Sequence, residues 1–140
     1  NVDYIAIAYI NESGALRKAG ITKPIVVLHT QAVNFKLLRE HCLERSIYSP
    51  KILKEFIKVA LTDKQKKYPV HIKFNTGLNR LGFSINGVSY LVETLNETES
   101  IKVKSVFSHL AASEDLNEKD YTQNQIKSFK NITTLFIRSL

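Results

Sequence analysis

The sequence predicts an α/β fold of parallel strands, part of a (β/α)8 TIM barrel, on three observations. Short apolar runs alternate with amphipathic stretches about five times, at a spacing of roughly 20 to 25 residues. The first runs are almost continuously apolar, as suits strands covered on both faces. Neither GxGxxG nor GxxxxGK[ST] follows any of them, which weakens a nucleotide-binding sheet and favours the barrel. A complete barrel takes about 250 residues. The 140 residues here are therefore read as just over half of one.

Val2 to Ile10 (VDYIAIAYI) is the first strand. Glu12 to Gly20 (ESGALRKAG) follows as a short helix, with Ser13 as candidate N-cap and Gly20 as its stop. Pro24 to His29 (PIVVLH) is β-branched and reads as a strand. Asn34 to Arg45 has helical period, with Phe35, Leu37, Leu38, Cys42 and Leu43 on one broad face. Arg45 to Ser49 is a short strand. Pro50 to Thr62 is a helix with proline in its first turn and Ile52, Leu53, Phe56, Ile57 and Ala60 at helical spacing. Pro69 to Asn75 alternates, with Val70, Ile72 and Phe74 against His71, Lys73 and Asn75, so it is a strand. Gly87 to Leu95 is helical. Ile101 to Leu110 (IKVKSVFSHL) alternates as a strand. Glu114 to Asp120 is an acidic loop, and Thr122 to Leu140 a long amphipathic helix.

Composition narrows the class. Apolar residues make up 44% and charged residues 24%, the profile of a soluble globular domain. No apolar run approaches the roughly 18 to 20 residues of a membrane span. Asn1-Val2-Asp3 begins without a signal-peptide pattern. The single cysteine, Cys42, excludes an internal disulfide and fits a reducing compartment; in a helical pattern it reads as a buried thiol. The net charge of +7 would suit a polyanion, but the lysines are scattered. Lys64, Lys66 and Lys67 form the one tight cluster, and they sit in a connector. Nucleic acid is therefore not the expected partner. No metal-ligand spacing is read either. The chain starts inside a strand-like run and ends inside a helix-like one, so it is read as one incomplete piece, residues 1–140, of a longer protein.

In parallel barrels the chemistry sits at the C-terminal ends of strands. That rule selects Lys73 to Arg80, Ser108-His109, and His29-Thr30-Gln31. Lys73 shares the polar side of its strand with His71 and Asn75, which would face the barrel interior. A buried lysine is costly unless it is paired or changes its charge state. An ion pair with a carboxylate on a neighbouring strand, or a snorkelling side chain, would satisfy it without any function. Arg80 can hold an anionic or phenolic oxygen, or simply tie its own loop. His109 is a ligand-facing or a structural histidine.

These stretches carry a resemblance. "VHIKFNTGLNRLGF", "VFSHLAASED" and "QNQIKSF" resemble the alanine racemases, in which one strand ends His-Leu-Lys-x-Asp-Thr-Gly-Met-x-Arg-x-Gly. A later strand of that family ends Ser/Thr-His-Phe-Ala-x-Ala-Asp, with Gln-x-x-x-Phe on the next helix. "AIAYINESGALRKAGITKPIVVLH" resembles an earlier run of the same family, so the similarity covers the whole chain in order. The resemblance implies an isomerase that interconverts L- and D-alanine through a pyridoxal phosphate imine and supplies cell-wall precursors in the bacterial cytoplasm. Residue by residue, it implies that Arg80 contacts the phenolic oxygen of pyridoxal phosphate and that His109 packs against the cofactor ring. Lys73 would be the lysine that many members carry as a carbamate. Gln125 and Phe129 are read as packing.

Asn75 stands where the family usually has aspartate, Leu78 where it has methionine and Leu110 where it has phenylalanine. The imine-forming lysine of the first barrel strand has no counterpart; Lys18 and Lys23 have the wrong context. The second base, a tyrosine from a C-terminal β-domain across a homodimer interface, has none either. The expectation is therefore barrel strands two to six, without the first strand, the last two strands or the β-domain. No catalytic residue is expected in this chain, and the piece alone should be inactive, without cofactor, and prone to self-association through open edges. A barrel-type amino-acid decarboxylase, a non-enzymatic pyridoxal phosphate carrier and, from another class, a basic nucleic-acid-binding module are the alternatives.

Overall fold

The structure, a computed structural model, describes residues 2–29 and 35–140. Five parallel strands form one sheet in chain order: Ile5–Tyr9 (β1), Ile25–His29 (β2), Leu43–Ile47 (β3), Tyr68–Lys73 (β4) and Ile101–Phe107 (β5). The helices are Asn11–Lys18 (α1), Phe35–Glu40 (α2), Pro50–Thr62 (α3), Val88–Asn96 (α4) and Lys119–Ser139 (α5). Parallel strands added in sequence order, each by a right-handed crossover, keep every helix on the same face. That is the wall of a barrel. A doubly wound sheet would reverse its strand order at a switch point.

The alternation of each strand divides its side chains between two layers. Val27, Leu43, Ile47, Val70 and Ile72 point to the helices, where they meet Leu38, Leu53, Phe56 and Leu91 in one core. The opposite, helix-free face carries Ala6, Val26, Leu28, His71, Ser105 and Phe107. The α3 helix shows how local sequence sets the packing. Ser49 in extended conformation accepts from the Ile52 amide (3.3 Å), Pro50 opens the first turn, and Leu53, Phe56 and Ala60 fall on the buried stripe.

Four readings need correction. The helix expected over Asn34 to Arg45 ends at Glu40, and Asn34 lies outside the described residues. Cys42 takes a left-handed backbone (φ 49°), and Leu43 then enters β3 opposite Ile25. Leu43 fits period two as well as period 3.6, which is why the pattern misled. Cys42 is consequently an exposed turn residue, not a buried helical thiol. Ser13 does not cap α1, which begins at Asn11 after Ile10. It is buried, and donates to the Ile10 carbonyl (2.5 Å). With its one proton so used, its oxygen accepts from His41 Nδ1 (2.7 Å). The acidic loop is shorter than expected, because α5 starts at Lys119.

Candidate functional site

The C-terminal ends of β4 and β5 hold the residues that the sequence singled out. His71 and Lys73 are 3% and 6% exposed and lie on the helix-free face, as their alternation required. The carboxylate on the neighbouring strand, Glu44, pairs with His71 and not with Lys73. His71 Nε2 donates to Glu44 (2.6 Å) on β3, and Nδ1 bonds Ser105 (2.7 Å) on β5. Among the described residues no carboxylate lies within ion-pair distance of Lys73. Its ammonium faces the Phe107 ring at 5.9 Å. Burial, and then the Arg80 charge, lower the Lys73 pKa, favouring the neutral amine. On β3, in register with His71, the Ser46 hydroxyl is buried and has no hydrogen-bond partner among the described residues.

Arg80 is placed by a rigid return of the chain. After Lys73 the segment turns back, so that Asn75 N donates to Phe83 O and Phe83 N to Lys73 O, both 2.9 Å. Gly82 makes this crossing possible at φ +133°. A Cβ there would sit 2.5 Å from the Asn75 nitrogen. Asn75 organises the rest: Oδ1 accepts from the Gly77 and Asn79 amides (3.1 and 3.0 Å), and Nδ2 donates to Asn79 Oδ1 (2.9 Å). The family aspartate could accept those two amide bonds, but it could not donate the third. Arg80 is exposed beside a cleft of about 460 Å³ lined by Tyr48, Ser49, Asn75, Asn79 and Leu81. Among the described residues its guanidinium makes no ion pair.

His109 is exposed on the loop after β5, and its carbonyl accepts from Gln125 (3.3 Å). The third predicted place is partly visible: His29 ends β2, whereas Thr30 and Gln31 lie outside the described residues. His29 sits between Tyr9 (5.8 Å) and Tyr48 (6.3 Å), a line of rings across three strand ends. Sequence reasoning passed over the tyrosines, and it passed over Glu44 and Ser105. Their signal was position: Tyr9 ends its strand, Ser105 is in register with His71, and Glu44 lies on the neighbouring strand two positions before Ser46, the residue in register with His71 on that side. Among the described residues no group of three or more His, Cys, Asp or Glu side chains could hold a metal ion. Nor is any helix among them long and apolar enough to cross a membrane.

The family model described as "Alanine racemase, N-terminal domain" matches residues 1–139. The chain belongs to this family. Alanine racemase 1 of Oceanobacillus iheyensis is 32% identical over 131 residues, 93% of this chain and 35% of the relative. Alanine racemase 2 of Caldanaerobacter subterraneus subsp. tengcongensis is 31% identical over 133 residues, 94% of this chain and 34% of its own length. The chain thus spans about a third of the length of the curated relatives it matches. Among solved structures, alanine racemase of Clostridium difficile 630 in complex with cycloserine superposes with a TM-score of 0.88 at 27% identity. That match covers 99% of this chain and 38% of that one. The enzyme from Corynebacterium glutamicum, at 22% identity and a TM-score of 0.82, shares the fold. The partial-barrel reading of the sheet accords with these neighbours.

Proposed function

We propose that this chain is the cofactor-positioning wall of an alanine racemase, the isomerase that interconverts L- and D-alanine for cell-wall precursor supply in the cytoplasm. The observation that carries this reading is Arg80. Among the described residues its guanidinium is in no ion pair; it is held on a loop locked by Asn75 and Gly82, and stands near a buried lysine that no described carboxylate pairs. These residues fit pyridoxal phosphate. An arginine donor suits the phenolate oxygen, and an exposed imidazole at His109 offers a flat face to a ring. When bound, pyridoxal phosphate supplies an electron sink that acidifies the alanine Cα proton.

Within that reading the chain's residues bind and orient. Arg80 donates to the cofactor's anionic oxygen. His109 packs beside the ring. Lys73, as a neutral amine, adds to carbon dioxide and releases a proton, and the resulting carbamate is an anion able to hold Arg80. The groups that remove and return the substrate proton come from elsewhere: a lysine on the barrel's first strand, and a tyrosine from the second subunit of a homodimer. The chain by itself is inactive.

The test uses the intact protein. Purified with pyridoxal phosphate, it should convert L-alanine to D-alanine. Arg80→Ala should weaken cofactor binding about tenfold or more, the loss expected for a charge-assisted hydrogen bond. Release of carbon dioxide from the amino acid, or no turnover by loaded protein, would replace the racemase with the decarboxylase or the carrier.

A further inference from the structure

We propose that Gln125 is a positioning residue whose carboxamide clasps the loop bearing His109 to the loop bearing Arg80. The inference rests on the reading just given for those two loops, and replaces the packing role that the sequence suggested. Gln125 lies in the second turn of α5 and is 2% exposed. A buried carboxamide is costly unless its donors and acceptor are used. Here they are used across two strand ends.

The Ala111 amide can only donate, so Gln125 Oε1 must face it (2.9 Å). The His109 carbonyl can only accept, so Nε2 donates there (3.3 Å). The same nitrogen reaches Thr76 Oγ1 at 3.5 Å. The hydroxyl bonds then have one consistent direction. Ser108 donates to the Phe74 carbonyl (2.8 Å), so Thr76 donates to Ser108 (2.7 Å) and is left to accept from Gln125. The chain of bonds therefore runs from α5 to Thr76, to Ser108, and back to the end of β4. One turn earlier on the same helix face, Tyr121 donates to the Gly77 carbonyl (2.7 Å). Gly77 is confined by this contact, since a Cβ would sit 2.8 Å from the tyrosine oxygen and 3.2 Å from Gln125 Cγ. A helix that needed only packing here would be served by leucine. The fold instead places a side chain that can use both ends of an amide.

Amide hydrogen exchange on the cofactor-free intact protein separates the two roles. In Gln125→Leu, exchange should quicken about tenfold in residues 108–112 and also in residues 75–80, because one lost hydrogen bond of about 1.4 kcal/mol corresponds to that factor. Gln125→Glu keeps an acceptor for Ala111 but sets an oxygen against the His109 carbonyl. It should quicken the same two segments, and it decides the matter if the leucine variant does not fold. Ile132→Ala, buried on the same helix, should lower the unfolding midpoint without linking the two segments. Faster exchange in 108–112 alone, or in neither segment, overturns the clasp. Pyridoxal phosphate affinity, measured in parallel, should fall about tenfold in Gln125→Leu and stay unchanged in Ile132→Ala. If the unsubstituted protein binds no cofactor, the functional reading fails while the exchange result still decides the clasp.

Discussion

The two ends of the sheet follow opposite rules. At the N-terminal ends of the strands, polar groups are committed to one another. Arg17 spans that floor: Nε donates to His41 O (2.8 Å), Nη1 to Ile21 O and Lys23 O (2.8 and 2.9 Å), and Nη2 to Cys42 O (3.0 Å). Those carbonyls close the turns that enter β2 and β3. Tyr68, at the start of β4, donates to Leu43 O (2.6 Å) at the start of β3. Burial pushes that phenol's pKa well above its usual range, so it stays a donor. At the C-terminal mouth the backbone loops are equally fixed, but charged and aromatic side chains are left open. Among the described residues Arg80 has no ion pair and Lys73 no carboxylate partner, and Tyr9 is 62% exposed. A floor that satisfies itself holds the sheet; a mouth with unspent donors can bind.

The sharpest way to break the comparison is Gly82→Ala, which attacks the fixed backbone of the mouth. The added Cβ overlaps the Asn75 nitrogen and the Phe74 carbonyl carbon (2.5 and 2.6 Å) at a φ of +133°. Strain and overlap together should cost about 4 kcal/mol, read as a lower urea midpoint. A cost within about 0.5 kcal/mol, the range of ordinary surface changes, would show that the loop is not rigid.

Arg17→Ala comes next, and attacks the floor. Four carbonyls lose a charged donor. With some regaining water, the loss should be about 2 to 3 kcal/mol. Arg80→Ala at the mouth should change stability by no more than about 0.5 kcal/mol. If both arginines cost the same in a chemical denaturation series, the division between floor and mouth is wrong.

Legibility followed the same division. The strand–helix alternation and the amphipathic faces were readable because burial imposes a period, and Pro50 to Thr62 was placed to the residue because Pro50 marks its start and Ile52 to Ala60 keep helical spacing. The inward side of β4 was readable because a period of two admits one arrangement once Val70, Ile72 and Phe74 are buried. The turn at Cys42 was not readable. What ends α2 there is a left-handed residue whose carbonyl is held by Arg17, 25 positions away. The partner of His71 was hidden for the same reason: Glu44 reaches it diagonally across the β3–β4 pairing, in which Ser46 is the residue in register. Lys73, Arg80 and His109 stood out by their places at strand ends. Gln125 did not, because its partners come from two loops that meet only in three dimensions.

The smallest expected effect concerns pH, and it again sets mouth against floor. Burial and the Arg80 charge lower the Lys73 pKa from the ordinary 10.5. Between that lowered value and 10.5 the unfolded chain binds a proton at Lys73 that the folded chain does not. Stability should therefore rise with pH across this window, while below it the full cost of a buried ammonium is present. Lys73→Met removes the group and should flatten that rise, measured as the urea midpoint against pH in bicarbonate-free buffer. The comparison sharpens when bicarbonate is restored. A carbamate on folded Lys73 binds no proton, while the unfolded amine still binds one below 10.5, so in the unsubstituted protein the rise should extend to lower pH, and Lys73→Met should not respond. A slope untouched by both Lys73→Met and bicarbonate would mean that the pH dependence lies with other groups, and that the lysine at the mouth is as fully satisfied as the arginine in the floor.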